Sequence, residues 1–144
     1  MNHSKKALSK KAKIVLFSAI ILVVIALVVG IVYLVSYNSY KSTIAAIQIK
    51  DVDLSTIGDG EYFGDCDAGF VSAKVRVVVI NHVITELELL KHQNGRGEAA
   101  DALPETMLKE QRVDVDTITG ATSSSNVIRE AVYNALTGER TTEQ

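Results

Sequence analysis

The sequence is poor in the residues that build disulfide, zinc and aromatic binding sites. Its 144 residues include one cysteine, Cys66, which excludes an intrachain disulfide and a zinc site made of several cysteines. The three histidines are scattered and match no zinc-ligand spacing. Tryptophan is absent and aromatic residues make up 6% of the chain, which argues against an aromatic platform for sugars or bases. A single proline excludes a proline-rich linker.

Positive charge is scarce outside the first thirteen residues. Five of the 15 basic residues are lysines among residues 1–13, which leaves ten basic against 17 acidic residues for the rest of the chain. Binding to nucleic acid depends on the neutralisation of phosphates by Lys and Arg. The acidic body therefore argues against a nucleic-acid partner.

One long apolar run interrupts an otherwise soluble composition. Residues 14–35 contain no charged side chain, and as a helix they would span about 33 Å, enough for a hydrocarbon core of about 30 Å. Lysines precede the run, so the positive-inside rule predicts a cytoplasmic tail at 1–13, a single-pass transmembrane helix at 14–35 and an extracytoplasmic body. The expected location is the cell membrane. A long signal peptide that is removed is the alternative, and it exports the body as well.

The exported part is predicted to contain one folded domain. Residues 36–57 are interpreted as a stalk, 58–138 as the domain and 139–144 as a tail. About eighty residues are enough for one hydrophobic core.

The first half of the domain has the alternation of β-strands. Val71–Ile80 and Val83–Leu90 both alternate apolar and polar residues, and Asn81-His82 between them predicts a two-residue turn. This pattern predicts an antiparallel hairpin with one solvent-exposed face, preceded by a short strand at Glu61–Gly64. On the second strand the alternation places Ile84, Glu86 and Glu88 opposite Val83, Thr85, Leu87 and Leu89.

The second half of the domain has the pattern of helices. An apolar stripe predicts a helix over Asn126–Leu136, which Gly138 ends and which Thr122–Ser125 could cap. Strands followed by helices predict the α+β class: a small antiparallel sheet with helices packed on it, preceded by one N-terminal transmembrane helix. The other predicted elements are helices over Glu98–Leu103 and Pro104–Glu110 and a brief strand over Val113–Val115.

The segment Asp116–Ser125 is the strongest candidate for binding chemistry. It predicts a strand-to-helix turn with two small residues, Gly120 and Ala121, followed by several hydroxyl side chains. Free N–H groups and the helix dipole at such a place favour a phosphate or another anion. Serines and threonines before a helix are also routine caps, and the residues alone leave both interpretations open.

Within this segment, Asp116-Thr117-Ile118-Thr119-Gly120-Ala121-Thr122 resembles the flavinylation motif Asp-x-x-Ser/Thr-Gly-Ala-Thr of the FMN-binding domain family. That family includes the covalently flavinylated subunits of sodium-pumping NADH:quinone reductase and of the related Rnf complex. Anchored single-domain members take part in extracellular electron transfer in Gram-positive bacteria. The resemblance continues in residues 59–64 (Asp-Gly-x-Tyr-x-Gly), in the second strand at 83–87, and in the loop with His92, Gly95 and Gly97.

The resemblance implies an electron carrier with FMN attached through a phosphoester on Thr122, and not an enzyme with a substrate of its own. A separate FAD-dependent flavin transferase would install the FMN on the outer face, recognising Asp116 and Thr119–Ala121. A membrane reductase or another redox partner would exchange electrons with it. The predicted cofactor-binding residues are Thr122, Asp116, Thr119, Gly120, Ala121, Ser123, His92 and Gly95, with no metal ligand.

Several residues and two further functions stay open at this point. His92 could contact the flavin ring, relay a proton or be a solvated loop histidine. Arg96 could pair with the flavin or lie on the surface, and Cys66 is expected to be a small buried apolar residue. The competing functions are a non-redox interaction module anchored outside the cytoplasm and a flavin-dependent reductase, for which no acid–base pair is evident.

Overall fold

One long helix precedes the folded domain. The computed structural model describes residues 9–138, and the chain divides into two compact units after Tyr37. Helix α1 (Lys10–Ala46) forms the described part of the first unit and continues into the second. It is long and apolar enough to cross a membrane. The helix extends beyond both ends of the predicted span at 14–35, since the flanking polar residues are compatible with helical structure. Residues 1–8 of the predicted cytoplasmic tail and the predicted tail at 139–144 lie outside the described residues.

The second unit is built on a three-stranded antiparallel sheet. Its strands are β1 (Gly60–Asp67), β2 (Ser72–Ile80) and β3 (Val83–Gln93), in the spatial order β1-β2-β3. Asn81 and His82 have φ angles of 53° and 63°, as a type I′ turn requires. The predicted hairpin and its two-residue turn are therefore confirmed.

Two β-bulges in β3 change which of its side chains face the core. Thr85 and Leu90 are extra residues that have no partner in the register with β2, and each extra residue moves the alternation by one position. As a result Ile84 is buried on the same face as Leu87 and Leu89, which pack against the core. The predicted alternation placed Ile84 on the opposite face from these two leucines. That prediction was wrong because a strict period of two assumes that every residue of β3 is paired.

Three helical elements follow the sheet. They are a 3₁₀ helix at Glu98–Ala102, α2 (Leu103–Glu110) and α3 (Thr122–Thr137). Gly138 ends α3 in the left-handed conformation, with a φ of 71°, as predicted. The observed α3 begins four residues before the predicted start. The prediction of an α+β fold with a small antiparallel sheet is confirmed.

Helix α3 packs against β1 and β2 and forms the core with them. The approach to β1 is close at Gly64, where an added Cβ would meet the carbonyl oxygen of Ala131 and lie 2.8 Å from the Cα of Ala135. Asn134 donates from Nδ2 to the Asp65 carbonyl oxygen at 3.0 Å. These contacts are made to backbone atoms, so they hold the whole axis of α3, and with it the start of the helix, at a defined place on the sheet.

Much of the segment predicted to be a stalk packs against this core. Tyr40 and Phe70 make an edge-to-face contact with ring centroids 5.6 Å apart. Asp53 caps a 3₁₀ turn at Leu54–Thr56, its Oδ1 accepting hydrogen bonds from Ser55. Other residues of the segment that pack against the core are Ile44, Ile47, Ile49, Val52 and Ile57.

Candidate functional site

A tight turn at 118–121 leads the chain into α3. The Ala121 N–H donates to the Ile118 carbonyl oxygen at 2.9 Å, and Gly120 between them has a φ of 82°. A positive φ at the third position is typical of a type II turn and favours glycine. Apart from Gly120 and its two chain neighbours, no described residue has an atom within 4 Å of the place that a Gly120 Cβ would occupy. This glycine is therefore required by the backbone conformation and not by lack of space.

Buried Ser125 holds the same turn from inside the domain. Its Oγ accepts a hydrogen bond from the Ile118 N–H at 3.0 Å, so both backbone polar groups of Ile118 are bonded. Ser125 is fully buried on the stripe that includes Ile128 and Val132. Sequence reasoning did not single it out as a site residue. A serine on the buried stripe of a helix needs a hydrogen-bond partner, and this was the signal that could have found it.

Helix α3 begins without a side-chain cap among the described residues. Its N-cap is Ala121, with φ −128° and ψ 30°, and its first turn contains no acidic residue. The prediction that Thr122–Ser125 cap the helix was wrong, because the turn at Gly120 starts the helix early and places all four hydroxyl residues inside its first turn. The N–H groups at this end have no intrahelical acceptor, and they favour an anion.

The four hydroxyl residues of the first turn differ in exposure. Thr122 is exposed and Ser123 is half-buried, whereas Ser124 and Ser125 are buried. Thr122 is therefore the hydroxyl that another protein can reach most easily. Of the other predicted site residues in this segment, Asp116, Thr119 and Gly120 are exposed and Ala121 is buried.

The loop after β3 contacts this helix start through Gly97. A Cβ on Gly97 would meet the Ser124 Oγ and lie 2.7 Å from the Ser124 Cβ. The backbone of Gly97, with φ −99° and ψ 16°, is accessible to other residues, so the close contact is what requires glycine. Gly95, a predicted site residue, is exposed, and beyond its chain neighbours no residue of 9–138 has an atom within 4 Å of its Cβ position. The glycine that joins the loop to α3 is thus Gly97, which was not among the predicted cofactor-binding residues.

His92 is buried at the end of β3, with 3% of its side chain exposed. Its Nδ1 lies 2.5 Å from the Asp101 Oδ1, and the side-chain amide of Asn94 lies 3.2 Å from the same nitrogen. Its Nε2 is buried and has no hydrogen-bond partner within residues 9–138. The interpretation of His92 as a solvated loop residue is therefore excluded. Sequence reasoning missed Asp101, since nothing in its spacing from His92 marks the pair.

Side chains, and not a β-ladder, hold the segment that precedes the turn. Val113 and Val115 are buried, but they form no strand, so the strand predicted at Val113–Val115 was wrong. The Val113 N–H donates to the Asp51 Oδ1 at 3.0 Å. The guanidinium group of Arg129, on α3, contacts the carboxylate of Asp114. The two valines are buried on either side of a less buried Asp114, as in a strand, but a strand also needs a neighbouring strand to which it can hydrogen-bond.

The sheet face opposite α3 carries charged residues. Glu86 and Glu88 are exposed there, as predicted. Arg76 lies 3.0 Å from the nearest Glu86 oxygen and also contacts Glu61. The hydrogen bond to Glu61 raises the pKa of Arg76, with a smaller contribution from Glu86 and against the effect of burial. These carboxylates form ion pairs on an exposed surface and lie on the opposite side of the sheet from α3.

Residues 69–137 match the family model described as the FMN-binding domain. The matched range includes His92, Gly97, the turn at 118–121 and the whole of α3. No curated protein matches the chain. Residues 69–137, just under half of the chain, are therefore similar to the FMN-binding domain family.

Proposed function

We propose that this protein is a membrane-anchored electron carrier whose FMN is attached through a phosphoester on Thr122. The observation that carries the proposal is the exposure of Thr122 as the first residue of a helix that begins without a side-chain cap in the described chain. A phosphoester at this oxygen places about one negative charge where the N–H groups and the helix dipole favour it. The other three hydroxyl residues in the first turn of α3 are less exposed.

Attachment requires an activated donor of FMN, and FAD has the right chemistry. The Thr122 Oγ1 would form a bond to the phosphorus of the FMN half of FAD, the pyrophosphate bond would break, and AMP would leave. The hydroxyl proton would pass to the transferase or to solvent. We assign this step to a separate FAD-dependent flavin transferase that recognises Asp116 and Thr119–Ala121. The exposure of Asp116, Thr119 and Gly120 supports that assignment.

FMN supplies reversible electron transfer when it is bound, and the protein supplies its placement. Ser125 and the hydrogen bond between Ala121 and Ile118 hold the turn on the inner side, so Thr122 is presented from a fixed backbone. Gly97 brings the loop after β3 to the same helix start. Covalent attachment also suits a protein outside the cytoplasm, because a dissociated flavin would be lost.

We place the flavin domain outside the cytoplasm, anchored by α1. The length and apolar composition of α1 support the anchor, and the five lysines among residues 1–13 support a cytoplasmic N-terminus. The redox partners would be a membrane reductase or another flavoprotein. In this proposal the protein carries electrons and has no substrate of its own.

Intact mass spectrometry tests the attachment. The full chain is co-expressed with an FAD-dependent flavin transferase, and we expect one added FMN on the wild type and none on Thr122→Ala. The matched control is Thr117→Ala, which removes a hydroxyl at a variable position of the motif and should keep the adduct. An unmodified wild type under these conditions would leave the anchored, non-redox interaction module as the better proposal. An adduct on Thr122→Ala would refute Thr122 as the attachment residue.

Protease accessibility tests the orientation. Protease added outside intact cells should cleave within residues 36–144, because the positive-inside rule keeps the lysine-rich end in the cytoplasm. The control is the same treatment after the cells are opened, which should also expose residues 1–13. Full protection of residues 36–144 in intact cells would contradict the proposed orientation.

A further inference from the structure

Within residues 9–138, two buried side-chain nitrogens lack a hydrogen-bond partner: His92 Nε2 and Arg129 Nε. Arg129 still uses its guanidinium group to contact Asp114. One of the two ring nitrogens of His92 has no partner within these residues. Only 3% of the His92 side chain is exposed to water. A buried polar atom left in this state is costly, by about 1–3 kcal/mol. Such an atom calls for a ligand that the protein chain does not supply.

The pairing of His92 with Asp101 determines what the free nitrogen can offer. A carboxylate only accepts hydrogen bonds, so the 2.5 Å contact with Asp101 Oδ1 assigns the hydrogen to Nδ1. The longer contact of Nδ1 with Asn94 Nδ2, at 3.2 Å, is then not a hydrogen bond, because an amide nitrogen only donates. Nε2 is then an acceptor in the neutral ring and a donor in the imidazolium. The polar edge of an isoalloxazine ring has both an N–H group and carbonyl oxygens. Either form of His92 can therefore bond to that edge.

The position of the pair in the fold connects it to the attachment site. His92 is at the end of β3 and Asp101 is in the 3₁₀ helix that follows, and the loop between them contains Gly97. Gly97 contacts Ser124 in the first turn of α3, two residues after Thr122. The N–H groups at the start of α3 would bind the phosphoryl group, and the ribityl chain would separate that group from the ring. The ring thus needs a polar partner other than the helix start, on a segment next to it.

We infer that His92 Nε2 hydrogen-bonds the isoalloxazine ring of FMN attached at Thr122, and that Asp101 is the positioning residue that holds the imidazole for this bond. The inference rests on the proposed function and adds the residue that contacts the ring. An alternative is a purely structural histidine whose Nε2 binds water. The two alternatives differ in how His92 responds when the flavin is attached.

Nitrogen NMR of the full chain in detergent micelles makes the first comparison without any substitution. The protein carries ¹⁵N-labelled histidine and is measured before and after the transferase loads FMN from FAD. The Nε2 resonance of His92 should shift on loading. His82 is the internal control, because it lies in the hairpin turn at the other end of β3. Its Nδ1 is 2.9 Å from the Ile57 carbonyl oxygen. An unchanged His92 Nε2 resonance in loaded protein would overturn the inference.

The second comparison is between variants and the wild type. All proteins carry FMN at equal occupancy, which is checked by mass spectrometry. His92→Leu should shift the visible absorption of the attached flavin and lose the larger part of the rise in Tm that loading produces. His92→Gln, which keeps a polar end, should recover part of both effects. Asp101→Asn should shift the absorption in the same direction as His92→Leu, and less. The matched control, His82→Gln, should behave like the wild type.

The outcomes separate this inference from the proposal on which it rests. A structural histidine would lower the Tm of unloaded and loaded His92→Leu equally, with an unchanged flavin spectrum, and that result would overturn the inference alone. Absence of the FMN adduct on the wild type would overturn both the proposed function and the inference. If His92→Leu does not fold, Asp101→Asn and the NMR comparison decide the question.

Discussion

Gly97→Ala tests whether the loop after β3 is held against the start of α3. The added methyl group would lie 2.7 Å from the Ser124 Cβ and would also meet its Oγ. Both are close to the backbone and buried, so the loop or the helix has to move. Overpacking of this kind costs about 1–3 kcal/mol. Alanine also allows the unfolded chain fewer conformations than glycine does, and this effect would offset about 0.4–1 kcal/mol of that cost.

The expected net result is a loss of about 1–2 kcal/mol in the free energy of unfolding. For a domain of this size, that corresponds to roughly 4–8 °C in Tm for each kcal/mol. Backbone strain contributes nothing, because φ −99° and ψ 16° are accessible to alanine. The predicted loss is therefore entirely due to the contact with Ser124.

Urea denaturation of the full chain in detergent, followed by circular dichroism, measures this loss. Gly95→Ala is the matched control: it adds the same methyl group two residues earlier, where no atom lies within 4 Å. It should be neutral or slightly stabilising. Ser124→Gly combined with Gly97→Ala removes both atoms of the clash and should restore part of the stability. If Gly97→Ala proves as stable as Gly95→Ala, the contact between loop and helix is not as described.

Two further predictions concern side chains that accept hydrogen bonds. Ser125→Ala leaves the Ile118 N–H without its acceptor and should cost about 1–3 kcal/mol, with faster hydrogen exchange at that amide; exchange at the wild-type rate would contradict this role. The side-chain and backbone hydrogen bonds from Ser55 lower the pKa of Asp53 below its usual 3.8. Asp53 therefore contributes stability above about pH 4, which is lost as the pH falls through the lowered pKa of the folded state. The difference in Tm between wild type and Asp53→Asn should shrink at acid pH, and a difference that is constant with pH would refute the assignment.

Local sequence determined most of the elements and the proposed attachment motif at 116–122. The alternation of Val71–Ile80 specifies one buried face of a strand, and Asn81-His82 tolerates the positive φ angles of a two-residue turn. The stripe over Asn126–Leu136 specifies the buried face of a helix. The turn at Gly120 also depends on neighbouring residues alone, because a positive φ favours glycine wherever it occurs. These features follow from the period and conformational range of nearby residues.

The tertiary structure decided which residues surround that motif. Ser125 bonds Ile118 only because α3 begins at Thr122 and turns that side chain inward. Likewise, the contact of Gly97 with α3 and the pairing of His92 with Asp101 depend on how the loop after β3 is placed. No period in the sequence marks such contacts, since they join separate elements whose packing sets their distance. The exposure of the Thr122 hydroxyl was therefore predictable. The burial of His92, with one ring nitrogen that has no partner among residues 9–138, was not.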